Sequence, residues 1–141
     1  MNKPVLPFVT AALLCEKVLE EKNGTLSVVR IADRLEVETI GIPEEVKPLV
    51  NVEGLISIKS GPVVGTFDVA IVGRNPKGES KQLFRQAFEF KGNDQGQNII
   101  LRFAMAFMYE GLHWFDVLFD GQLLTTIPLM LVQAQKPTVM K

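Results

Sequence analysis

A chain of 141 residues, 47% of them hydrophobic, is long enough for one domain around one core. Its 15 Lys and Arg against 16 Asp and Glu leave a net charge of −1, which gives no general pull toward nucleic acid and no acidic tail. The single cysteine, Cys15, excludes an internal disulfide framework and a multi-cysteine zinc site, and fits a reducing cytoplasm.

The first residues, "MNKPVLPFVTAALLCEK", hold a short apolar run broken by Pro4 and Pro7, with no hydrophobic stretch leading to a small-residue cleavage site. No segment approaches the ~18 uncharged apolar residues of a membrane helix. The expectation is a soluble, unprocessed cytoplasmic protein that meets no membrane. "TAALLCEKVLEEK" is ambiguous. Its Ala, Leu, Glu and Lys favour helix, with Gly24 as an acceptable cap, whereas Asn23-Gly24 signals a two-residue hairpin between strands. After that turn, Leu26 and Val28 keep one phase and Val29, Ile31, Leu35 and Val37 the other, so a β-bulge is expected at Val28/Val29.

The strands that follow are clearer. In Val50–Lys59, Val50, Val52, Ile56 and Ile58 alternate with polar residues. In Val63–Gly73, Val63, Phe67, Val69 and Ile71 share a face. "RNPKGES" reads as a turn with Pro76 at its first central position and Gly78 closing it. Lys81–Lys91 places Phe84, Phe88 and Phe90 on one side. "GNDQGQ" reads as a loop, and Asn98–Met108 follows, with Ile99, Leu101, Phe103, Met105 and Phe107 on one face. Leu112–Phe119 and Gln122–Val132 close the chain around Asp120-Gly121. Apolar runs every ten residues or so, separated by turn residues, predict an all-β sandwich or barrel over residues 1–141.

The pieces "ALLCEKVLEEKNGTLSVVRIADRLEV" and "EGLHWFDVLFDGQLLTTIPLMLV" resemble the two ends of a family of small, uncharacterised bacterial proteins, classed only as a domain of unknown function. The resemblance implies an immunoglobulin-like antiparallel β-sandwich of about seven to eight strands and tips Leu13–Leu19 toward strand. It brings no catalytic residues. In the family's closing hairpin a Gly-x-Tyr-x-Phe pattern resembles the tyrosine corner of Greek-key sandwiches. Here the same positions hold Gly111, His113 and Phe115, so the only histidine stands where the tyrosine would be. A ring nitrogen bonded to backbone is the structural expectation; a catalytic or pH-sensing His113 is the sharper one.

Reactive constellations are sparse. Cys15 lies in an apolar run, so a packed, inert thiol is expected, and no Gly-x-Ser-x-Gly elbow exists. One His and one Cys do not make a zinc set, and the aspartates are scattered. No metal or cofactor site is expected. Arg74, Lys77, Lys81, Arg85 and Lys91 form a basic face opposite the phenylalanines, an arrangement unlike the interleaved cations and aromatics of a nucleic-acid platform.

The closing hairpin is apolar on both faces. His113, Phe115, Val117 and Phe119 lie on one side of its first strand, with Leu112, Trp114 and Leu118 on the other, Asp116 among them. In the second strand Leu123, Ile127, Leu129 and Leu131 oppose Leu124, Met130 and Val132. A sandwich core needs only one of these faces. Either the amino-terminal segment or "TIGIPEEVKPL" folds over the second face, or a partner does, most simply another copy of the chain in a homodimer. Pro128 suits an edge or bulge. The functional expectation is a non-enzymatic interaction or assembly module using Met108, Leu112, Trp114, Leu118 and Met130. The alternatives are a small-ligand or carbohydrate-binding sandwich with Trp114 as platform and Asn93 and Asp94 as contacts, and an enzyme using His113.

Overall fold

The structure, a computed structural model, describes residues 5–134. Among these there is no helix. Seven strands run in chain order: β1 (Phe8–Glu20), β2 (Leu26–Ile31), β3 (Arg34–Val37), β4 (Leu49–Arg74), β5 (Ser80–Ala106), β6 (Gly111–Phe119) and β7 (Gln122–Gln133). Hydrogen bonding joins them into one sheet in the order β2-β1-β4-β6-β7-β3, with β5 pairing β4. All pairs are antiparallel except β3 with β7, which run parallel. The fold is all-β as expected, but the sheet is curled and mixed, its β3–β7 pair departing from the purely antiparallel arrangement.

The strand preference of β1 comes from its neighbours. It pairs with β2 on one side and β4 on the other, burying Leu14, Cys15 and Val18. Two ladders outweigh the helix propensity of its Ala, Leu, Glu and Lys. The β1–β2 turn is a three-residue loop, not the two-residue one expected. Glu21 N–H bonds to the Thr25 carbonyl at 2.8 Å, and Gly24, at φ 84°, takes the left-handed position that closes such a loop. The expected slip at Val28/Val29 is absent, since Lys17↔Val29 and Val18↔Val28 are consecutive pairs. The phase breaks further on, at Arg30 with its φ of 51° and at the gap between β2 and β3.

β4 and β5 form one long hairpin that bends in its middle. Leu49–Lys59 faces Gly96–Ala106, and Val64–Arg74 faces Ser80–Lys91. "GNDQGQ", expected as a loop, is part of β5. Register shifts between Lys59 and Val64 absorb the bend. Here Gly61 has φ 57° against the Phe8 ring, and at Gly96 a β-carbon would run into the backbone of Ile58. The ends of the hairpin return to the same end of the molecule. Phe107 N–H bonds to the Pro48 carbonyl at 2.8 Å, next to the start of β4. Two residues on, the Tyr109 ring lies 4.9 Å from Lys77 Nζ, beyond the end of β4.

The folded sheet encloses one core between its halves. Leu14, Val52, Ile56 and Ile58 from the first half meet Val69, Ile71, Phe90, Phe115, Val117, Leu129 and Leu131 from the second. Phe103 on β5 packs against Phe115 on β6, ring centroids 5.6 Å apart. β3 seals the far edge of the second half, with Met130 N–H bonded to the Asp33 carbonyl at 2.9 Å. A bulge between Val117 and Leu118 shifts the phase of β7 at its start. Leu123 therefore stands outside and Leu124 packs against the core, the reverse of the expected facing.

Candidate functional site on the outer face of the β6–β7 hairpin

β6 alternates without interruption. His113, Phe115, Val117 and Phe119 are buried, and Leu112, Trp114, Asp116 and Leu118 are partly exposed on the reverse. Register assigns their neighbours. Trp114 lies between Arg74 on β4 and Pro128 on β7, Asp116 between Val72 and Thr126, Leu118 between Ala70 and Leu123, and Leu112 beside Met130. Pro128 precedes the stretch of β7 covered by β3, so its missing N–H costs no bond there.

A polar knot sits in the middle of this apolar surface. Arg74 holds Asp116 with two bonds, Nε to Oδ2 at 2.8 Å and Nη2 to Oδ1 at 3.0 Å, and Thr126 Oγ1 donates to Oδ1 at 2.9 Å. The guanidinium carbon stands 5.9 Å from the centre of the Trp114 ring. The Arg74 hydrogen bond, with that of Thr126, holds the Asp116 carboxyl below the usual aspartate range, against the opposing effect of partial burial. Three strands are tied by one carboxylate. Sequence reasoning noted Asp116 among apolar neighbours and Arg74 on a basic face, but did not join them. The available signal was the charge itself, because a half-buried carboxylate requires a partner.

Leu112, Trp114, Leu118 and Met130 are brought together on this face. Met108 is not with them. It lies in the 107–110 connection and is 55% exposed, beside Ile42, Val46 and Pro48. That is also where the "TIGIPEEVKPL" connection packs, and residues Leu6–Ala12 lie beside Leu124 and Thr125. Among the described residues, each segment expected as a cover packs elsewhere, and the face stays partly open.

His113 points into the core with 4% exposure, and its Nδ1 lies 3.0 Å from the Gly111 carbonyl. A carbonyl only accepts, so Nδ1 carries the proton and donates. Burial lowers the His113 pKa below the ordinary histidine value, and the Gly111 bond partly opposes this. The imidazole is thus held neutral and buried, two residues from buried Phe115. Cys15 stands opposite Glu53 on the face of β1 away from Leu14, so it does not share the core into which His113 points. Burial, reinforced by Glu53, raises the Cys15 pKa and keeps the thiol protonated. Asn93, paired with Gly61 at the bend, and Trp114, paired with Arg74 at the end of β4, are separated by roughly 40 Å of strand. They do not line one site. Among the described residues, no three His, Cys, Asp or Glu side chains cluster as metal ligands, and no helix is long and apolar enough to cross a membrane.

The chain belongs to DUF6941, a family of unknown function whose pattern matches residues 10–132. No curated protein sequence matches it. Among solved structures it is similar to a β-glucosidase from Listeria innocua in complex with glucose, at 9% identity and a TM-score of 0.44, covering 86% of this chain and 16% of that one. It is also similar to the Pseudomonas fluorescens alkylpurine DNA glycosylase AlkC bound to DNA containing an abasic site analog, at 13% identity and a TM-score of 0.45, covering 89% of this chain and 30% of that one. The chain therefore spans less than a third of either protein.

Proposed function

We propose that this chain is a non-enzymatic protein-interaction or assembly module acting through the outer face or an edge of its C-terminal sheet half. The observation that carries this reading is the row Leu112, Trp114, Leu118 and Met130, partly exposed on one surface while the chain's own connections pack elsewhere. The Arg74–Asp116–Thr126 knot supports it by fixing the shape of that surface and giving it a polar centre, as recognition surfaces require. A buried, internally bonded His113 and a protonated Cys15 supply no reactive pair. In the same reading, the folded sheet is an immunoglobulin-like sandwich whose two halves are its layers, and the protein works in a bacterial cytoplasm, where a lone protonated thiol is at home.

The test compares the wild-type chain with Leu118→Lys, after thermal melting has shown both to be folded. Light scattering coupled to size exclusion reads self-association, and affinity capture reads other partners. The expected result is an association present in the wild type and lost in the variant. Identical behaviour of the two chains in both assays would overturn the outer face as the surface of association.

A further inference from the structure

We infer that the free edge of β5 pairs antiparallel with the same edge of a second copy of this chain, about a two-fold axis at Ala87. Among the described residues, β5 pairs with β4 alone, so the other side of its Ser80–Lys91 half presents backbone groups that no strand pairs. Gln97 Nε2 donates to the Glu89 carbonyl at 2.9 Å, which marks Glu89 as a residue whose backbone faces away from β4; in the dimer the partner's Arg85 N–H takes the place of this side-chain donor. Strand alternation puts Arg85 and Ala87 in the same outward phase.

The sequence of this edge, "FRQAFEF" from Phe84 to Phe90, is complementary to its own reverse. With Ala87 opposite itself, Arg85 falls opposite the partner's Glu89, and Glu89 opposite the partner's Arg85. Phe84 falls opposite the partner's Phe90, and Gln86 opposite the partner's Phe88. Opposite charges directly across strands are a favourable cross-strand combination, whereas Phe90 is already buried in the core and contributes to register only. Arg85 is available for this. It uses Nε and Nη2 on Asp68, which leaves Nη1, and its side chain remains 60% exposed. Glu89 is exposed, and Phe84 and Phe88 stack at 6.3 Å while only partly buried at the open margin of the core. A second strand would cover that margin. The interface is isologous and closes after two copies, unlike a head-to-tail contact.

This inference stands apart from the outer-face reading and is tested with other residues. Light scattering coupled to size exclusion is run over a concentration series on the full chain. The wild type is expected to shift from monomer toward dimer mass. Glu89→Lys, which sets a cation opposite the partner's Arg85, is expected to weaken association at least tenfold. The double variant Arg85→Glu with Glu89→Lys is expected to restore it. Ala87→Pro removes an outward N–H and fixes φ near about −65°, which an edge strand tolerates, so it is expected to abolish the dimer while the chain stays folded with its β4 ladder intact, as a thermal melt checks. A wild type that stays monomeric throughout overturns the inference. So does a dimer that survives both Glu89→Lys and Ala87→Pro, or a folded double variant that stays monomeric. A dimer lost in Leu118→Lys but kept in Glu89→Lys assigns association to the outer face and rejects the edge. The converse keeps the edge and rejects the face as the self-association surface.

Discussion

Arg74 and Asp116 face each other across the β4–β6 ladder with two charge-assisted bonds of 2.8 and 3.0 Å, and the Trp114 ring lies beside the guanidinium. The pair sets two opposite charges within the otherwise apolar row of Leu112, Trp114 and Leu118. It also makes the native state sensitive to acid.

Because Arg74 and Thr126 hold Asp116 below the ordinary aspartate range, the unfolded chain takes up a proton at a pH where the folded chain does not. The stabilisation is complete above the unfolded value of about 3.9 and is lost as pH falls through the lower, folded one. Asp116→Asn is expected to be less stable than wild type at pH 7 and to show a flatter decline below pH ~4. Urea denaturation at several pH values measures this.

His113 acts at higher pH. Its folded pKa is depressed by burial, so it remains neutral while unfolded chains begin to protonate near pH ~6.5. Its contribution is present above that value and is lost as pH falls from there toward the folded pKa. His113→Phe is expected to remove the stability slope just below pH 6.5. A slope retained in the variant would show that another group sets it.

The bend and the last turn separate two uses of glycine. At Gly96 a β-carbon meets Ile58 backbone that has no room to move, whereas at Gly121, φ 82°, the space is empty and only the backbone angle opposes a side chain. Gly121→Ala is expected to cost about 1–2 kcal/mol. Gly96→Ala is expected to cost clearly more, or to yield an unfolded chain. Thermal melts of the two variants rank them.

Phe115 is 1% exposed and packs against Phe103 from the other half of the sheet. Phe115→Ala is expected to cost about 3–5 kcal/mol, the range for a truncated core aromatic. A smaller loss by denaturant titration would indicate that the two halves close over the gap.

Cys15 is buried and its thiol protonated, so a thiol-specific reagent is expected to label it only at the rate of unfolding. Rapid labelling of the folded chain would contradict the packing of β1 on β4.

The strands were legible because one face of each is dry. Val50, Val52, Ile56 and Ile58 and then Val69 and Ile71 are buried as their alternation predicts. The change from even to odd positions between Ile58 and Val63 was visible too, as was the matching change between Phe90 and Ile99. Period alone does not say whether a phase change is a loop or a bend in a continuous strand. That depends on pairing, since the two irregularities lie opposite each other in the β4–β5 ladder. The parallel pairing of β3 with β7 had no local signal at all, because nothing near Arg34 specifies Met130. In the candidate site, the residues of the outer face could be sorted by alternation. Met108 was misplaced because its alternation runs past the last β5 pair at Ala106 into a connection. The Arg74–Asp116 tie depends on strand order, which alternation does not encode.

The parallel β3–β7 ladder has a consequence for the route by which the chain folds. The long β4–β5 hairpin and the β6–β7 hairpin each zip from a tight turn, with small loops to close at the start. Arg34 and Met130 are far apart in sequence, so their pairing closes the largest loop of any of the ladders and gains least until everything between is in place. β3 is therefore expected to dock last, with substitutions at Leu35 accelerating unfolding and those at Ile71 slowing folding in chevron measurements. A segment that docks last also releases first, so brief openings of the native protein would expose the β7 edge before any other.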